Sequence, residues 1–464
     1  MADDPRVDRA RGLLMTRLTE GDEVERLTWP AERLWELRDE RLRALVAHAV
    51  AHSPWHARRL AGIDPRELTG DGLAALPVMT KQDLMGAWDE ISTDPRLRLD
   101  GAQAALAAPD DGGMRAVADE FLVMSTSGTS GTPTVVAWDL GGFTDMAAAV
   151  LRPGFWMQRQ AAAAGAPMTP PTAPFVQATV GSVHTTSMSR QLALFLGNPM
   201  IANNEIPART PLPDMVARLN DLAPAGLFGY ASALAMLAGE AAAGRLHISP
   251  MLIGASSEPL FGPMASLIAD ALGTERSNTY AVTEIGGLAA RTSPGDPALR
   301  LVEDIAVYEV DDEGHLIVTN VLNRALPLIR YRMSDRVRID SDPHGGPWTG
   351  RRLVIDDATG ALFRWGDGGR VDAATLAAAI AGHTAVVDYA VEQTPDGIAV
   401  AAWAPRAPLT DGDLDTVRAD LVAALAAGGR PGGRVEVRAL ADPGELPQTA
   451  AGKRRRFIPL ATPA

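Results

Sequence analysis

Hydroxyl-bearing side chains are concentrated in residues 125–132, whose sequence is STSGTSGT. Six of these eight residues carry a hydroxyl group and the other two are glycine. Hydroxyls donate hydrogen bonds to phosphate oxygens, and glycine lets the backbone approach an anion closely. The stretch is therefore interpreted either as a phosphate-binding loop or as the polar tip of a hairpin.

This loop differs from the most familiar phosphate-binding loop, in which a lysine follows the last glycine and a helix comes next. Here Pro133 stands two positions after Gly131, the loop contains no lysine, and residues 135–138 read as a strand. A phosphate at such a hairpin has to be held by backbone amides and hydroxyls. Any cation that neutralises it must come from elsewhere in the chain.

Three more stretches carry side chains suited to nucleotide chemistry. SNTYAVTEIGG ends a predicted strand and contains Tyr280, Thr283 and Glu284. YRMSDRVRID places Asp335 after a strand, where a carboxylate can accept two ribose hydroxyls. LPQTAAGKRRRF puts Lys453 in a turn near the C-terminus, from which a long cation can reach another domain.

Lysine is rare in this chain. Of the 43 basic residues only Lys81 and Lys453 are lysine, and the rest are arginine. Ammonium and guanidinium groups are not interchangeable at a reacting centre. A lysine in a chain whose other basic residues are arginine therefore indicates that its ammonium group is needed for chemistry.

Taken together, the four stretches resemble the signature motifs of the adenylate-forming (ANL) superfamily, in the family's order and at about its spacing. That superfamily includes acyl-CoA synthetases, luciferases and the adenylation domains of peptide synthetases. Within it the chain is most like the phenylacetate–CoA ligases, which the segments SPWHARRL, LPVMTKQDL, GASSEPL and EVDDEGHLIVTNVLNRALPLIRYRMSD resemble. The resemblance covers nearly the whole chain.

The resemblance implies that ATP is held by residues from several segments. Its phosphates would lie on the loop formed by Ser127, Gly128, Thr129, Ser130, Gly131 and Thr132. The adenine pocket would be lined by Ser257, Glu258 and Pro259, with Tyr280 stacking near the base. Asp335 would hold the ribose, and Arg351 or Arg352 would contact ribose or phosphate.

The same resemblance assigns the catalytic groups. Thr283 would contact the phosphate, Glu284 would bind Mg²⁺, and Lys453 would be a mobile catalytic lysine. The hinge before the lysine-bearing domain would lie at Asp356 or Asp357. ATP and Mg²⁺ are thus the expected cofactors, with CoA as the expected co-substrate.

The pocket for the acid is expected beside the nucleotide, in the segments before the Tyr280 strand. The candidate residues are His184, Tyr230 and Ala255, although a loop histidine that only makes hydrogen bonds is an equal interpretation of His184. Small residues around Ala231 and Ala255 leave space for a ring. The expected substrate is therefore an aromatic or similarly compact carboxylic acid.

These residues have to be positioned by two units. Short apolar strands alternate with helical segments over much of the chain before residue 300, which predicts an α/β sheet covered by helices. The last hundred or so residues read as a small α+β module. The expected fold is a large N-terminal α/β domain of adenylate-forming type, residues 1–355, followed by a small mobile α+β domain, residues 356–464, that carries the lysine.

Composition narrows the partners. A chain of 464 residues is too long for one ordinary core, which predicts two or more domains. The formal net charge of −14 argues against nucleic acid as a partner, and no apolar run reaches the length of a membrane span. The charged N-terminus does not read as a signal peptide and there is no cysteine, so a cytoplasmic monomer or homodimer is expected.

The expected function is ATP- and Mg²⁺-dependent activation of the acid to an acyl-AMP with release of pyrophosphate, then acyl transfer to CoA. One alternative is transfer to a carrier protein, an amine, a hydroxyl or another nucleophile, as in natural-product biosynthesis. Another is a non-catalytic homologue that keeps the fold and binds a nucleotide or acyl ligand. The polar loop, Glu284, Asp335 and Lys453 favour the enzyme.

Overall fold

The structure is a computed structural model that describes residues 4–110, 112–126, 133–165, 174–181, 186–197, 201–273, 276–285, 290–293, 296–355 and 361–460. Several predicted site residues lie outside these described residues. They are the loop residues Ser127, Gly128, Thr129, Ser130, Gly131 and Thr132, the pocket candidate His184, and the hinge candidates Asp356 and Asp357.

Thirteen α-helices lie in the described residues. They are α1 (Pro5–Thr19), α2 (Ala31–His52), α3 (Pro54–Arg59), α4 (Lys81–Gly86), α5 (Trp88–Ile91), α6 (Leu99–Ala107), α7 (Leu140–Ala163), α8 (Met188–Leu196), α9 (Leu212–Leu222), α10 (Ala231–Ala242), α11 (Gly262–Leu272), α12 (Ala373–Ala381) and α13 (Asp411–Ala427).

Twenty-two strands lie in the same described part of the chain. They are β1 (Ala116–Val117), β2 (Phe121–Ser125), β3 (Val135–Asp139), β4 (Phe175–Gly181), β5 (Ile201–Pro207), β6 (Gly226–Gly229), β7 (Leu252–Ser256), β8 (Arg276–Tyr280), β9 (Ala290–Ser293), β10 (Asp296–Leu301), β11 (Ala306–Val310), β12 (His315–Asn320), β13 (Tyr331–Asp340), β14 (His344–Gly345), β15 (Trp348–Thr349), β16 (Arg352–Ile355), β17 (Leu362–Arg364), β18 (Arg370–Asp372), β19 (Asp388–Gln393), β20 (Gly397–Trp403), β21 (Arg434–Leu440) and β22 (Phe457–Ile458).

An eleven-stranded sheet organises most of the chain, in the order β11-β12-β13-β16-β10-β9-β8-β7-β6-β4-β5. Its strands β5, β4, β6, β7 and β8 run parallel. Helices α8, α9, α10 and α11 occupy the connections between them, as parallel strands require. The remaining pairs are antiparallel and extend the sheet past β8. The predicted α/β alternation is confirmed.

The polar loop stands on the predicted hairpin. Strands β2 and β3 pair antiparallel, with Val123 opposite Ala137 and Ser125 opposite Val135. Both strands are almost entirely buried, because their side chains are apolar on both faces. The hairpin therefore anchors both ends of the loop to buried strands.

Residues 361–460, here called the C-terminal module, form a sheet of their own in the order β21-β20-β19-β22. Helix α13 packs against β21 and helix α12 packs against α13. The Thr410 hydroxyl and the Asp413 carboxylate form a capping box that starts α13. This arrangement confirms the expected small α+β unit.

The module also packs against the large sheet through apolar side chains. Trp403 and Leu440 of the module belong to the same buried cluster as residues of α10 and α11. At Gly239 of α10 a Cβ atom would lie 3.2 Å from the Trp403 ring, so a small residue is needed there. In this structure the C-terminal module is thus docked on the helices that cover the parallel strands.

Among the helices that the structure describes, none combines the length and the apolar character that crossing a membrane requires.

Candidate active site

The carboxyl ends of the parallel strands bring the candidate site together. Strands β6, β7 and β8 end at Gly229, Ser256 and Tyr280, side by side in the sheet. Ligands of open α/β sheets bind at this edge. Tyr230 follows β6 directly, and Ser257 follows β7 with a positive φ of 66° that turns the chain sharply.

The two ends of the polar loop are joined to each other and to strand β13, which carries Asp335. Two hydrogen bonds join Thr126 and Thr134: the Thr126 amide donates to the Thr134 carbonyl at 3.0 Å, and the Thr134 amide donates to the Thr126 side-chain hydroxyl at 2.9 Å. The Thr134 side chain is in turn hydrogen-bonded to Tyr331 at the start of β13. The hairpin is thereby tied to the strand that carries Asp335.

Tyr280 and Asp335 form a direct pair. The Tyr280 hydroxyl donates a hydrogen bond of 2.8 Å to Asp335 Oδ2. Burial raises the pKa of Tyr280, and the neighbouring Asp335 charge raises it further, so the tyrosine stays a donor at neutral pH. One carboxylate oxygen of Asp335 is therefore oriented by the ring, and this leaves the other for a ligand.

Glu284 lies in a 3₁₀ turn, Thr283–Ile285, just after β8. It is buried, and burial raises its pKa to about 6, an effect that the charge of Asp335 reinforces and that of Lys81 opposes. The Asn320 amide donates to the Glu284 backbone carbonyl at 3.4 Å. A buried carboxylate with a raised pKa is a candidate for a functional group.

Lys453 extends from the C-terminal module to the large sheet. Its turn is closed by the Thr449 hydroxyl, which accepts from the Lys453 amide at 3.1 Å, and by Gly452 with a φ of 80°. The Lys453 ammonium lies 5.9 Å from the centre of the Tyr230 ring, within the range of a cation–π interaction. Burial lowers the pKa of Lys453, against the opposing charges of Glu258 and Asp335.

Glu258 has a more specific position than the sequence indicated. Its Oε2 accepts the Ser232 amide at 2.9 Å, at the first turn of α10, and its Oε1 accepts the Arg454 amide at 2.6 Å. The carboxylate therefore connects a helix of the large sheet to the residue that follows Lys453. Its assignment to the adenine pocket, like that of the neighbouring Ser257 and Pro259, stays a prediction.

The two arginine candidates are engaged by carboxylates outside this cluster. Arg351 Nε lies 2.8 Å from Glu303 Oε1, and Glu303 is fully buried. Arg352 is exposed on β16 and lies 3.8 Å from Asp340. A role for either arginine with ATP stays a prediction.

Lys81, the second lysine of the chain, has no predicted role but lies close enough to Glu284 for its charge to affect that carboxylate. It is the first residue of α4, and its charge lowers the pKa of Glu284, so the two groups are near each other. The bridge from Met79 to Tyr331 fixes α4 against β13. The charges of both lysines are therefore felt in the same region, that of Lys81 at Glu284 and that of Lys453 beside Tyr230, and the rarity of lysine could have signalled this.

The Tyr280–Asp335 pair gives a first prediction. Asp335→Asn keeps the shape of the side chain but removes the charge that would bind ribose hydroxyls, so we expect the KM for ATP to rise about tenfold, since a hydrogen bond to a charged group contributes about 1.5–3 kcal/mol. Steady-state kinetics at varied ATP measure it. Asp340→Asn, on the same strand, is the control. An ATP KM that is unchanged in Asp335→Asn would contradict the assignment.

No family model matches the chain. The chain is 32% identical over 141 residues to the phenylacetate-coenzyme A ligase of Thermus thermophilus, a match that covers 28% of this chain and 27% of the relative. The matched region is thus about a quarter of the length of the curated relative.

Solved structures match over nearly the full length. A 2-hydroxyisobutyryl-CoA ligase in the postadenylation state, in complex with R3-HIB-AMP, is 19% identical with a TM-score of 0.66, over 94% of this chain and 91% of that one. The same ligase in the thioesterification state, with 2-HIB-AMP and CoA, is 20% identical over equal shares, but its TM-score is 0.54.

By TM-score, the chain is thus more similar to the postadenylation structure than to the thioesterification structure. The resemblance to the adenylate-forming superfamily, and within it to phenylacetate–CoA ligases, is confirmed, and the chain has the α/β fold of the adenylate-forming CoA ligases.

Proposed function

We propose that this protein is an adenylate-forming ligase that activates a carboxylic acid with ATP to an acyl-AMP and then transfers the acyl group to CoA. The observation that supports it most is the convergence of Glu284, Asp335 and Lys453, which come from three distant segments. The full-length match to a CoA ligase fold agrees with this proposal.

In the first half-reaction a carboxylate oxygen of the acid would attack the α-phosphorus of ATP, while the bond from that phosphorus to pyrophosphate breaks. Both reactants are anions, so catalysis consists of positioning them and of neutralising the charge that develops. Lys453 can supply a compact positive charge to both reacting oxygens at once, and Asp335 would hold the ribose so that the α-phosphate stays in reach.

Glu284 fits a Mg²⁺ ion. Mg²⁺ prefers hard oxygen ligands and is commonly bound by one or two carboxylates together with substrate phosphates and water. The Glu284 carboxylate is such a ligand, and its raised pKa reflects a buried charge that a cation would stabilise. When bound, the ion would neutralise the phosphates of ATP and the departing pyrophosphate.

The acid would occupy the pocket next to Tyr230 and Ala255, which are both buried at the carboxyl edge of β6 and β7. Gly181 ends the neighbouring strand β4, and a Cβ atom there would lie 3.6 Å from the Tyr230 ring. Glycine at this position therefore places no side chain against that ring. This supports an aromatic or compact acid as the substrate.

A panel of aryl and short alkyl acids tests the proposal. The protein is incubated with ATP, Mg²⁺ and each acid, pyrophosphate release is measured, and products are identified by mass spectrometry with and without CoA. We expect acid-dependent pyrophosphate release with an aromatic or compact acid, an acyl-AMP without CoA and an acyl-CoA with it.

The outcomes separate the remaining alternatives. An acyl-AMP that CoA does not consume would indicate another acceptor, such as an amine, a hydroxyl or a carrier protein. Absence of acid-dependent pyrophosphate release across the panel would contradict the enzymatic function and favour a ligand-binding homologue.

A further inference from the structure

Two arginines follow Lys453 and are buried between the C-terminal module and the large sheet. Arg454 Nε lies 2.7 Å from one oxygen of Asp388, and Arg456 Nε lies 3.1 Å from the other. The side chains of Arg454 and Asp388 are 0% and 1% exposed. One carboxylate of β19 thus holds both guanidinium groups in place.

The opposite side of this cluster belongs to the helices of the large sheet. The guanidinium of Arg454 contacts the Met236 sulfur of α10, and that of Arg456 contacts the Met264 sulfur of α11, each at 3.8 Å. Arg456 also lies 4.5 Å from the centre of the Phe261 ring. These partners carry no charge, so burying the arginines against them is costly unless carboxylates compensate.

Glu258 completes the cluster from the side of the large sheet. Its carboxylate accepts the Arg454 amide with one oxygen and the Ser232 amide with the other. The four side chains Arg454, Arg456, Asp388 and Glu258 carry two positive and two negative charges, so the buried group is neutral as a whole. If the module moved away from this position, Glu258 would lose its contact with the Arg454 amide, and the two arginines would lose their contacts with Met236 and Met264.

We propose that Glu258 and Asp388 are positioning residues that dock the Lys453 turn on the large sheet and so select the conformation for acyl-AMP formation. We call Arg454, Arg456, Asp388 and Glu258 the docking cluster. If the proposed function holds, the docking cluster controls the balance between the two half-reactions. The greater similarity of the structure to a postadenylation arrangement than to a thioesterification arrangement agrees with it.

Isosteric variants test the cluster. In Glu258→Gln the amide can accept only one of the two N–H groups, because its own NH₂ donor faces the other. In Asp388→Asn the two buried arginines lose half of their compensating charge. A lost hydrogen bond to a buried carboxylate in Glu258→Gln and an uncompensated buried charge in Asp388→Asn are both unfavourable, so we expect the docked conformation to become at least about tenfold less populated in each variant.

The first readout compares the half-reactions. Adenylation is measured by pyrophosphate release, and thioester formation is measured separately from supplied acyl-AMP and CoA. We expect the ratio of the adenylation rate to the thioesterification rate to fall about tenfold in both variants. An equal loss in both half-reactions would indicate a general structural or adenine-binding role and overturn the proposal.

A second readout does not depend on catalysis. Because the chain has no cysteine, the pair Asp270→Cys and Arg406→Cys can be introduced where Arg406 forms an exposed ion pair with Asp270 across the same interface. A short bismaleimide then cross-links the docked state. We expect Glu258→Gln in this background to cross-link several-fold more slowly, and an unchanged rate would overturn the docking role.

Arg406→Gln in the wild-type chain is the matched control. This substitution removes an ion pair at the same interface, and both side chains of that pair are more than half exposed. It should therefore change the ratio of half-reaction rates less than about fivefold. If Asp388→Asn does not fold, Glu258→Gln decides the question. If the wild type activates no acid, the proposed function fails, and the cross-linking rate still tests the docking cluster.

Discussion

Replacing Lys453 by alanine is expected to slow acyl-AMP formation by about 10²–10³-fold while the protein remains folded, since this is the usual effect of removing a preorganised charge from a developing anion. The lysine is held by the Thr449 and Gly452 turn and directed at the site next to Tyr230. In the proposed mechanism, Lys453 is the cation that the C-terminal module brings to the reacting carboxylate, and the alanine variant lacks it. Pyrophosphate release under saturating ATP and acid measures the effect.

Arginine is not expected to rescue this variant. The ammonium group of lysine is a compact point charge. The guanidinium group of arginine is planar, spreads its charge over three nitrogens and needs acceptors in a wider arrangement. Lys453→Arg should therefore retain less than about a tenth of the wild-type adenylation rate. It should also keep the thermal unfolding temperature of the wild type, because the turn residues and the docking cluster are unchanged.

Arg455→Ala supplies the control for both variants. Arg455 is exposed, although it stands between buried Arg454 and Arg456 in the same segment. Exposed substitutions typically change energies by about 0.5 kcal/mol or less, so its adenylation rate should stay within about threefold of the wild type. Pyrophosphate release in Lys453→Ala equal to that of Arg455→Ala would show that Lys453 is not the catalytic lysine.

The fold was largely readable from local patterns. The hairpin that carries the polar loop follows from two β-prone apolar runs, and the structure pairs Phe121–Ser125 with Val135–Asp139. The parallel part of the sheet follows from strands that alternate with helices. The antiparallel extension past β8 was less readable, because pairs such as β10 with β16 join segments about fifty residues apart and leave no local signal.

The sequence allowed the residues of the candidate site to be predicted from their chemical type, but not their contacts. Glu284, Asp335 and Lys453 could be selected because their chemistry suits nucleotides, but the hydrogen bond from Tyr280 to Asp335 spans 55 residues and had no signal in the sequence. Glu258 illustrates the limit best. Its two contacts reach 26 residues back to Ser232 and 196 residues forward to Arg454, so its connecting position depends on tertiary packing.

Glu284→Gln is expected to have opposite effects on activity and on stability. The pKa of Glu284 is raised to about 6 from its ordinary value of 4.5 because the carboxylate is buried. A raised pKa means that ionisation is less favourable in the folded than in the unfolded chain. The wild-type protein therefore loses stability as the pH rises from about 4.5 to about 6, and it stays less stable above that range.

The glutamine variant lacks this ionisation. Without Mg²⁺, we expect its free energy of unfolding to exceed that of the wild type by about 2 kcal/mol at pH 8, since each pH unit of pKa displacement corresponds to about 1.4 kcal/mol. Near pH 4 the difference should vanish, because Glu284 is then protonated in both states. Urea unfolding at a series of pH values measures it, independently of any catalysis.

Activity should change in the other direction. A neutral amide is a poorer ligand for Mg²⁺ than a carboxylate, so we expect Glu284→Gln to need about tenfold more Mg²⁺ for half-maximal adenylation and to be slower at every concentration. In the wild type, adenylation at limiting Mg²⁺ should fall as the pH drops below about 6, when the carboxylate takes up a proton. The variant should not show this decline.

Glu309→Gln is the matched control for these effects. Glu309 is also partly buried with a raised pKa, and its carboxylate lies 3.0 Å from Arg330. By the same linkage, Glu309→Gln should not lose stability at pH 8, but it should leave the Mg²⁺ requirement unchanged. If Glu284→Gln were destabilising at pH 8, or kept the wild-type Mg²⁺ titration that is expected of Glu309→Gln, Glu284 would be a structural residue. A gain in stability together with a raised Mg²⁺ requirement is expected only of a buried charge that is kept in the fold for a cation.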